Sequence, residues 1–280
     1  MKRVFLPESM DELWSVMAAA PDARVYAGGT DLLVAMRAGE IAPASLICLE
    51  RLTEIQGVRE TGEELWLGAA TTHAALLSND LILRHLPLLA QALRTLGSPP
   101  IRNMGTIGGN ICTASPAGDT LPPLYVLEAE VELQDGATTR RLPVRDFITG
   151  PGQTRLAAGE IMTGIRIKKP VAANCQRFEK IGQRRALACC LASLAALLRV
   201  SPDGVIETAR LAWGSVGPTV VTSAAVEAAL TGKILSRETL LHAAVFARQA
   251  VSPIDDLRAS AAYRREVAGN LLLRLPQVQG

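Results

Sequence analysis

Aromatic residues make up only 4% of this 280-residue chain, and histidine occurs three times. So few rings argue against a stacking platform for single-stranded nucleic acid. His73, His85 and His242 are isolated in sequence, with no His-x-x-x-His pair to hold a metal, and each reads as a surface or capping residue. No Ser-His-Asp order suggests a nucleophilic triad. The five cysteines include no C-x-x-C and no four-cysteine spacing for an iron–sulfur centre. Their odd number and irregular placement fit a reducing cytoplasm. Cys189-Cys190 falls in an apolar, strand-like run and reads as a pair of buried structural thiols. No segment approaches ~18 consecutive apolar residues, so no membrane span is expected. Met1–Glu8 carries charge but no apolar h-region and does not read as a secretory signal. Net charge is +2 without a Lys/Arg run, which gives nucleic acid no footprint. Neither G-x-G-x-x-G nor G-x-x-x-x-G-K-[ST] is present, which argues against a Rossmann fold and a P-loop.

The sequence does contain two glycine motifs, Ala27-Gly28-Gly29-Thr30-Asp31 and Thr106-Ile107-Gly108-Gly109-Asn110. Glycine permits φ > 0 and close approach to the main chain, and successive amides in such a turn form an anion site. The first motif lies between a strand-like Arg24–Ala27 and a helix-like Asp31–Ala38, an arrangement that aims a helix N-terminus at the turn. Either motif alone is also consistent with a tight turn and nothing more. Two of them, far apart in sequence, suit a long ligand with two phosphates.

At 49% hydrophobic, the chain can build a substantial core and has the length of two domains or three small ones. Ser9-Met10-Asp11-Glu12 is a capping box before an amphipathic run to Ala20. With strands at Arg24–Ala27 and Leu46–Leu49 it makes a β-α-β lobe over residues 1–57. A second lobe, 58–170, is expected to hold a strand at Glu64–Gly68 and helices at Thr72–Leu77 and Leu86–Leu96. Pro99-Pro100 breaks the latter helix. The second glycine motif follows, then a helix at Asp119–Leu127, a hairpin turning at Asp135-Gly136 and a strand at Glu160–Ile167. The third unit, 171–280, should hold strands at Cys175–Ile181, Ala188–Val200 and Val205–Val216. Helices around Ser223–Leu230, Arg237–Ala250 and Ala259–Leu275 then complete it.

The two glycine motifs, followed by Ala114-Ser115-Pro116-Ala117-Gly118-Asp119, resemble the FAD-binding medium subunit of the molybdenum hydroxylases. That family includes xanthine dehydrogenase and carbon monoxide dehydrogenase. Phe147–Gly152, Gly159–Met162, Phe178–Lys180, Leu211–Thr219 and Asp256–Arg265 follow in the family's order, so the resemblance covers nearly the whole chain. It implies an α+β fold: a two-lobed FAD-binding unit of the vanillyl-alcohol-oxidase/PCMH type plus a small C-terminal antiparallel sheet with helices.

The resemblance also implies non-covalent FAD, held chiefly by main-chain donors. Val25, Tyr26, Ala27, Gly28, Gly29, Thr30 and Asp31 would form one part of the cradle, and Thr106, Gly108, Gly109 and Asn110 the other. Asp119 matches a cofactor-contacting acid, with helix N-cap as the other role open to it. Ile161 or Met162 matches a position whose backbone lies by the flavin. Lys180 matches a lysine near the cofactor, with a solvated surface lysine as its alternative. Leu96 stands where some members carry an aromatic ring, which puts a stacking role there in doubt. Cys112, two residues past the second motif, would fall near the flavin.

By the same resemblance, this chain is a cytoplasmic oxidoreductase subunit of a heterotrimer. Molybdenum cofactor and [2Fe-2S] clusters belong to partner subunits, and electrons reach FAD and leave to an external acceptor, most often NAD⁺. A free-standing flavin oxidoreductase on the same scaffold and a non-redox nucleotide-binding assembly module remain as alternatives.

Overall fold

A computed structural model describes residues 3–170, 173–184 and 188–276. Val171, where the third unit is expected to open, lies outside them. The N-terminal lobe is a three-stranded parallel sheet in the order β1-β3-β2, from β1 (Arg3–Phe5), β2 (Arg24–Tyr26) and β3 (Ser45–Cys48). Helix α1 (Met10–Ala19) crosses between β1 and β2, and α2 (Leu32–Ala38) between β2 and β3. Ser9 caps α1 by accepting from the Glu12 amide, and the Glu12 carboxylate takes the Glu8 N–H.

The second lobe is built on a five-stranded antiparallel sheet, β4 (Val58–Thr61), β5 (Glu64–Gly68), β10 (Ile161–Lys168), β6 (Glu130–Gln134) and β7 (Thr139–Pro143), in that spatial order. Helices α3 (His73–Leu77), α4 (Asp80–His85), α5 (Pro87–Thr95), α6 (Pro99–Met104), α7 (Ile107–Thr113) and α8 (Leu121–Val126) follow β5 in the chain. A short α9 (Val144–Phe147) precedes the small hairpin of β8 (Ile148–Gly150) and β9 (Gln153–Thr154). The structure departs from two expectations. Pro99-Pro100 opens α6 rather than breaking α5, because a first-turn proline loses no helical hydrogen bond; Gly97, at φ +49, accompanies the end of α5. The Gly108-Gly109 motif is the first turn of helix α7, not a separate glycine turn.

The C-terminal part is a three-stranded antiparallel sheet of β11 (Cys175–Ile181), β12 (Ala192–Val200) and β13 (Ile206–Gly214), followed by α10 (Ala224–Leu230), α11 (Arg237–Ala250) and α12 (Ala261–Asn270). Strand β12 is buried on both faces. Ala195 and Leu197 join the core of the second lobe, while Leu194, Ala196 and Leu198 join the core made with α10–α12. That is why residues 194–198 read as a continuous apolar run rather than an alternation. Cys189 precedes this strand and is exposed, so of the Cys189-Cys190 pair Cys190 alone is buried. Arg264 of α12 donates to the carbonyls of Leu191 and Ser215 and to the Asp256 carboxylate, which fastens the last helix to the sheet.

Candidate functional site

The first two lobes meet at a cleft. Val25, Tyr26, Ala27, Gly28, Gly29, Thr30 and Asp31 line a cavity of about 520 Å³ there. Leu96, Thr106, Gly109 and Asn110 line it from the second lobe. Gly108, Ile161 and Met162 line an adjoining cavity of about 430 Å³ that shares Val25, Tyr26, Ala27, Thr106 and Gly109 with the first. Both volumes fall in the usual range of small-ligand sites.

The first glycine motif makes the donor surface. None of the five backbone N–H groups from Gly28 to Leu32 has an acceptor among the described residues. Gly29 takes φ +68, which turns the chain from β2 into α2. Gly28 is needed for a different reason: a Cβ on it would collide with the Met104 carbonyl of the second lobe. The Asp31 carboxylate accepts from Thr113 Oγ1 at 3.2 Å, a hydrogen bond that joins the two lobes.

The second motif is arranged differently. The Ile107 N–H donates to Thr71 O, Gly108 N–H to Ala69 O and Gly109 N–H to Thr106 Oγ1. Neither glycine has φ in the left-handed region. Gly108 is required because a Cβ would come within 2.6 Å of the Ala69 Cβ. Its main-chain donors are thus largely consumed in fixing α7 against the strand-end segment 69–71. The Asn110 side chain accepts from Thr120 Oγ1 at 2.5 Å.

Asp119 and Lys180 line neither cavity. They form an ion pair at 2.6 Å, each side chain 8% exposed, which replaces both the solvated-lysine and the N-cap readings. Lys180 Nζ also donates to Thr95 O at 3.2 Å, beside Leu96. Asp119 Oδ1 is buried without a partner. Burial pushes the Asp119 carboxyl up to about 6, only partly opposed by Lys180.

His73 also departs from expectation. It is 2% exposed and lines the larger cavity, so it is not a surface residue. Burial, reinforced by the Arg102 cation, holds its imidazole at about 4. No sequence motif signals this; the ring is buried because Thr72 and Thr106 form an isolated β-bridge that draws the start of α3 against Gly105. Cys112 lines both cavities, and burial pushes its thiol up to about 12. Among the described residues, no group of three or more His, Cys, Asp or Glu could hold a metal ion, and no helix is long and apolar enough to cross a membrane.

Two family models match. Residues 1–170 match the FAD binding domain in molybdopterin dehydrogenase, and residues 177–277 match the CO dehydrogenase flavoprotein C-terminal domain. The chain is 31% identical to the carbon monoxide dehydrogenase medium chain of Hydrogenophaga pseudoflava, over 96% of this chain and 93% of that one. It is 30% identical to the nicotinate dehydrogenase FAD-subunit of Eubacterium barkeri, over 97% and 93%. A solved structure of carbon monoxide dehydrogenase from Hydrogenophaga pseudoflava, lacking the Mo-pyranopterin moiety of its cofactor, superposes with a TM-score of 0.92 at 32% identity. The match covers 98% of this chain and 95% of that one.

Proposed function

Because the chain belongs to the FAD-binding medium subunits of the molybdenum hydroxylases, we propose that its interlobe cleft holds FAD and that it works as the electron-exit subunit of a three-subunit complex. The observation that carries the cleft assignment is the run of free N–H groups from Gly28 to Leu32. Five unsatisfied main-chain donors in one stretch are costly unless an anion or water takes them, and the negative charge of a diphosphate suits them.

Bound FAD would supply the redox chemistry, with the protein contributing position and electrostatics. The amides of Gly28 to Leu32 would hold the diphosphate. Thr106, Gly109, Asn110 and Leu96 would bound the cofactor from the second lobe, and Gly108, Ile161 and Met162 would line the adjoining space and exclude water. Lys180, kept in place by Asp119 and Thr95 O, would set a positive charge behind Leu96. Residues 1–57 and 58–170 would be the two cofactor-binding lobes, and residues 171–280 the unit that braces the second.

In this reading one partner carries the molybdenum cofactor and oxidises the substrate. A second partner relays electrons through [2Fe-2S] clusters, and NAD⁺ is the acceptor at the flavin. The complex is a cytoplasmic heterotrimer. Purification of the native complex with metal analysis and an acceptor screen tests this. Molybdenum and iron should co-purify, acid precipitation should release all the flavin, and substrate should reduce NAD⁺ only when all three subunits are present. Substrate-dependent flavin reduction by this chain alone would overturn the relay role. Turnover with other acceptors but not NAD⁺ would overturn the acceptor.

A further inference from the structure

We infer that the imidazole of His73 is a side-chain hydrogen-bond partner of the FAD diphosphate, a role additional to the main-chain donors of the first glycine motif. The inference rests on the FAD reading above. Its starting point is an unpartnered polar group: His73 is 2% exposed, its Nδ1 is buried without a partner, and no hydrogen bond to either ring nitrogen occurs among the described residues. Leaving such a group unpaired is unfavourable, so native structures seldom bury one without a partner of some kind. His73 nevertheless lines the cleft cavity that the first glycine motif also lines.

Its neighbours specify the chemistry of that ligand. The His73 N–H donates to Gly105 O at 2.9 Å. A Cβ built on Gly105 would lie 3.2 Å from His73 Cδ2 and 3.4 Å from Thr30 Oγ1, so imidazole and hydroxyl flank the same glycine. Thr30 is the middle residue of the free amide run. Arg102, whose guanidinium donates to Leu96 O at 2.7 Å, adds a positive charge close enough to act on the imidazole. Donors and positive charge converge on this corner of the cleft, which favours an anion. With its protonation held at about 4, the ring is neutral at physiological pH and offers one N–H donor.

The test uses the full chain after flavin removal, with FAD reloading followed by fluorescence and ADP as a competing diphosphate. Loss of one hydrogen bond predicts that His73→Leu weakens both FAD and ADP about tenfold, while His73→Gln, which keeps a donor, stays within about threefold of native. Melting temperature gives a second, independent readout. Without ligand, His73→Leu should be at least as stable as native, because it deletes an unpaired buried ring. With saturating FAD it should be less stable than native. Native affinity for FAD and ADP in the Leu variant, or a ligand-free Leu variant that melts well below native, would overturn the inference. A native chain that binds neither FAD nor ADP would overturn the FAD reading itself.

Discussion

Asp119 and Lys180 bury opposite charges side by side, yet the attraction does not offset the cost of burial for the acid, whose carboxyl is pushed up to about 6. A folded-state pKa above the unfolded value means that folding favours the protonated acid. That contribution is fully present below about 3.8, the ordinary value, and is lost as pH rises through about 6. Lys180→Met removes the cation paired with Asp119 and should raise the acid further. The variant should lose about 2 kcal/mol at pH 7.5, because its acid stays protonated where the native one, at about 6, has ionised, and regain most of it below pH 5, where Asp119 is neutral in both. Urea melts of the flavin-free chain at both pH values check this; an equal loss at each would show that the lysine acts through packing alone. The pair was legible only as two separate resemblances. That Lys180 meets Asp119 depends on β11 passing over the segment before α8, which no local pattern announces.

At the scale of elements, the two glycine motifs look alike in sequence and do different work. In the β2–α2 turn, Gly29 supplies a left-handed φ and Gly28 admits the Met104 carbonyl. At the start of α7, Gly108 admits Ala69, whereas a methyl group on Gly109 would be crowded by Thr106 Oγ1 alone, at 2.9 Å. Gly28→Ala should therefore force the lobes apart and lose both thermal stability and flavin. In Gly109→Ala the Thr106 cap is displaced, at about 1 kcal/mol, while the exchange of glycine for alanine in a helix regains about as much. That variant should melt near the native temperature and bind FAD more weakly, because the methyl projects where Gly109 borders the cleft. Calorimetry and flavin titration of both variants check the pair. Native melting with full flavin in Gly28→Ala would refute the close-approach argument. The Asp135-Gly136 hairpin also depends on its glycine: Gly136 takes φ +92, and a Cβ there would lie 3.0 Å from the Trp14 ring of α1.

Across the whole molecule, the three hydrophobic cores among the described residues do not coincide with three stretches of chain. Ile161 of β10 and Ala70 belong to the core of the N-terminal lobe, and Phe178, Ala195, Leu197, Ala212 and Val220 belong to that of the second. Helices α5 and α8 pack on the C-terminal sheet through these residues, and Gln91 of α5 accepts from the Phe178 N–H at 2.8 Å while donating to Gln176 O. A fragment ending at Pro170 should consequently expose the apolar faces of α5 and α8. It should bind a hydrophobic dye, unfold without a sharp transition and hold FAD poorly. Equilibrium unfolding of the fragment beside the full chain checks this; a cooperative fragment with native flavin affinity would show that the second lobe is self-sufficient.

The sequence by itself determined the elements whose signal is local. Ser9 before Glu12 marks the start of α1, Asp135-Gly136 marks the β6–β7 hairpin, and the apolar run over residues 194–198 marks β12 as a strand. The ordered motifs also carried the family, because several short patterns in one order are far more specific than any one alone. Tertiary structure decided what depends on distant backbone. It made Gly108-Gly109 a helix start by giving the amides of Ile107 and Gly108 the carbonyls of Thr71 and Ala69. It also left the amides of Gly28 to Leu32 without acceptors and buried His73 against Gly105. A residue's type and spacing state which hydrogen bonds it can make; only the packed chain settles which are already made, and the unmade ones define the site.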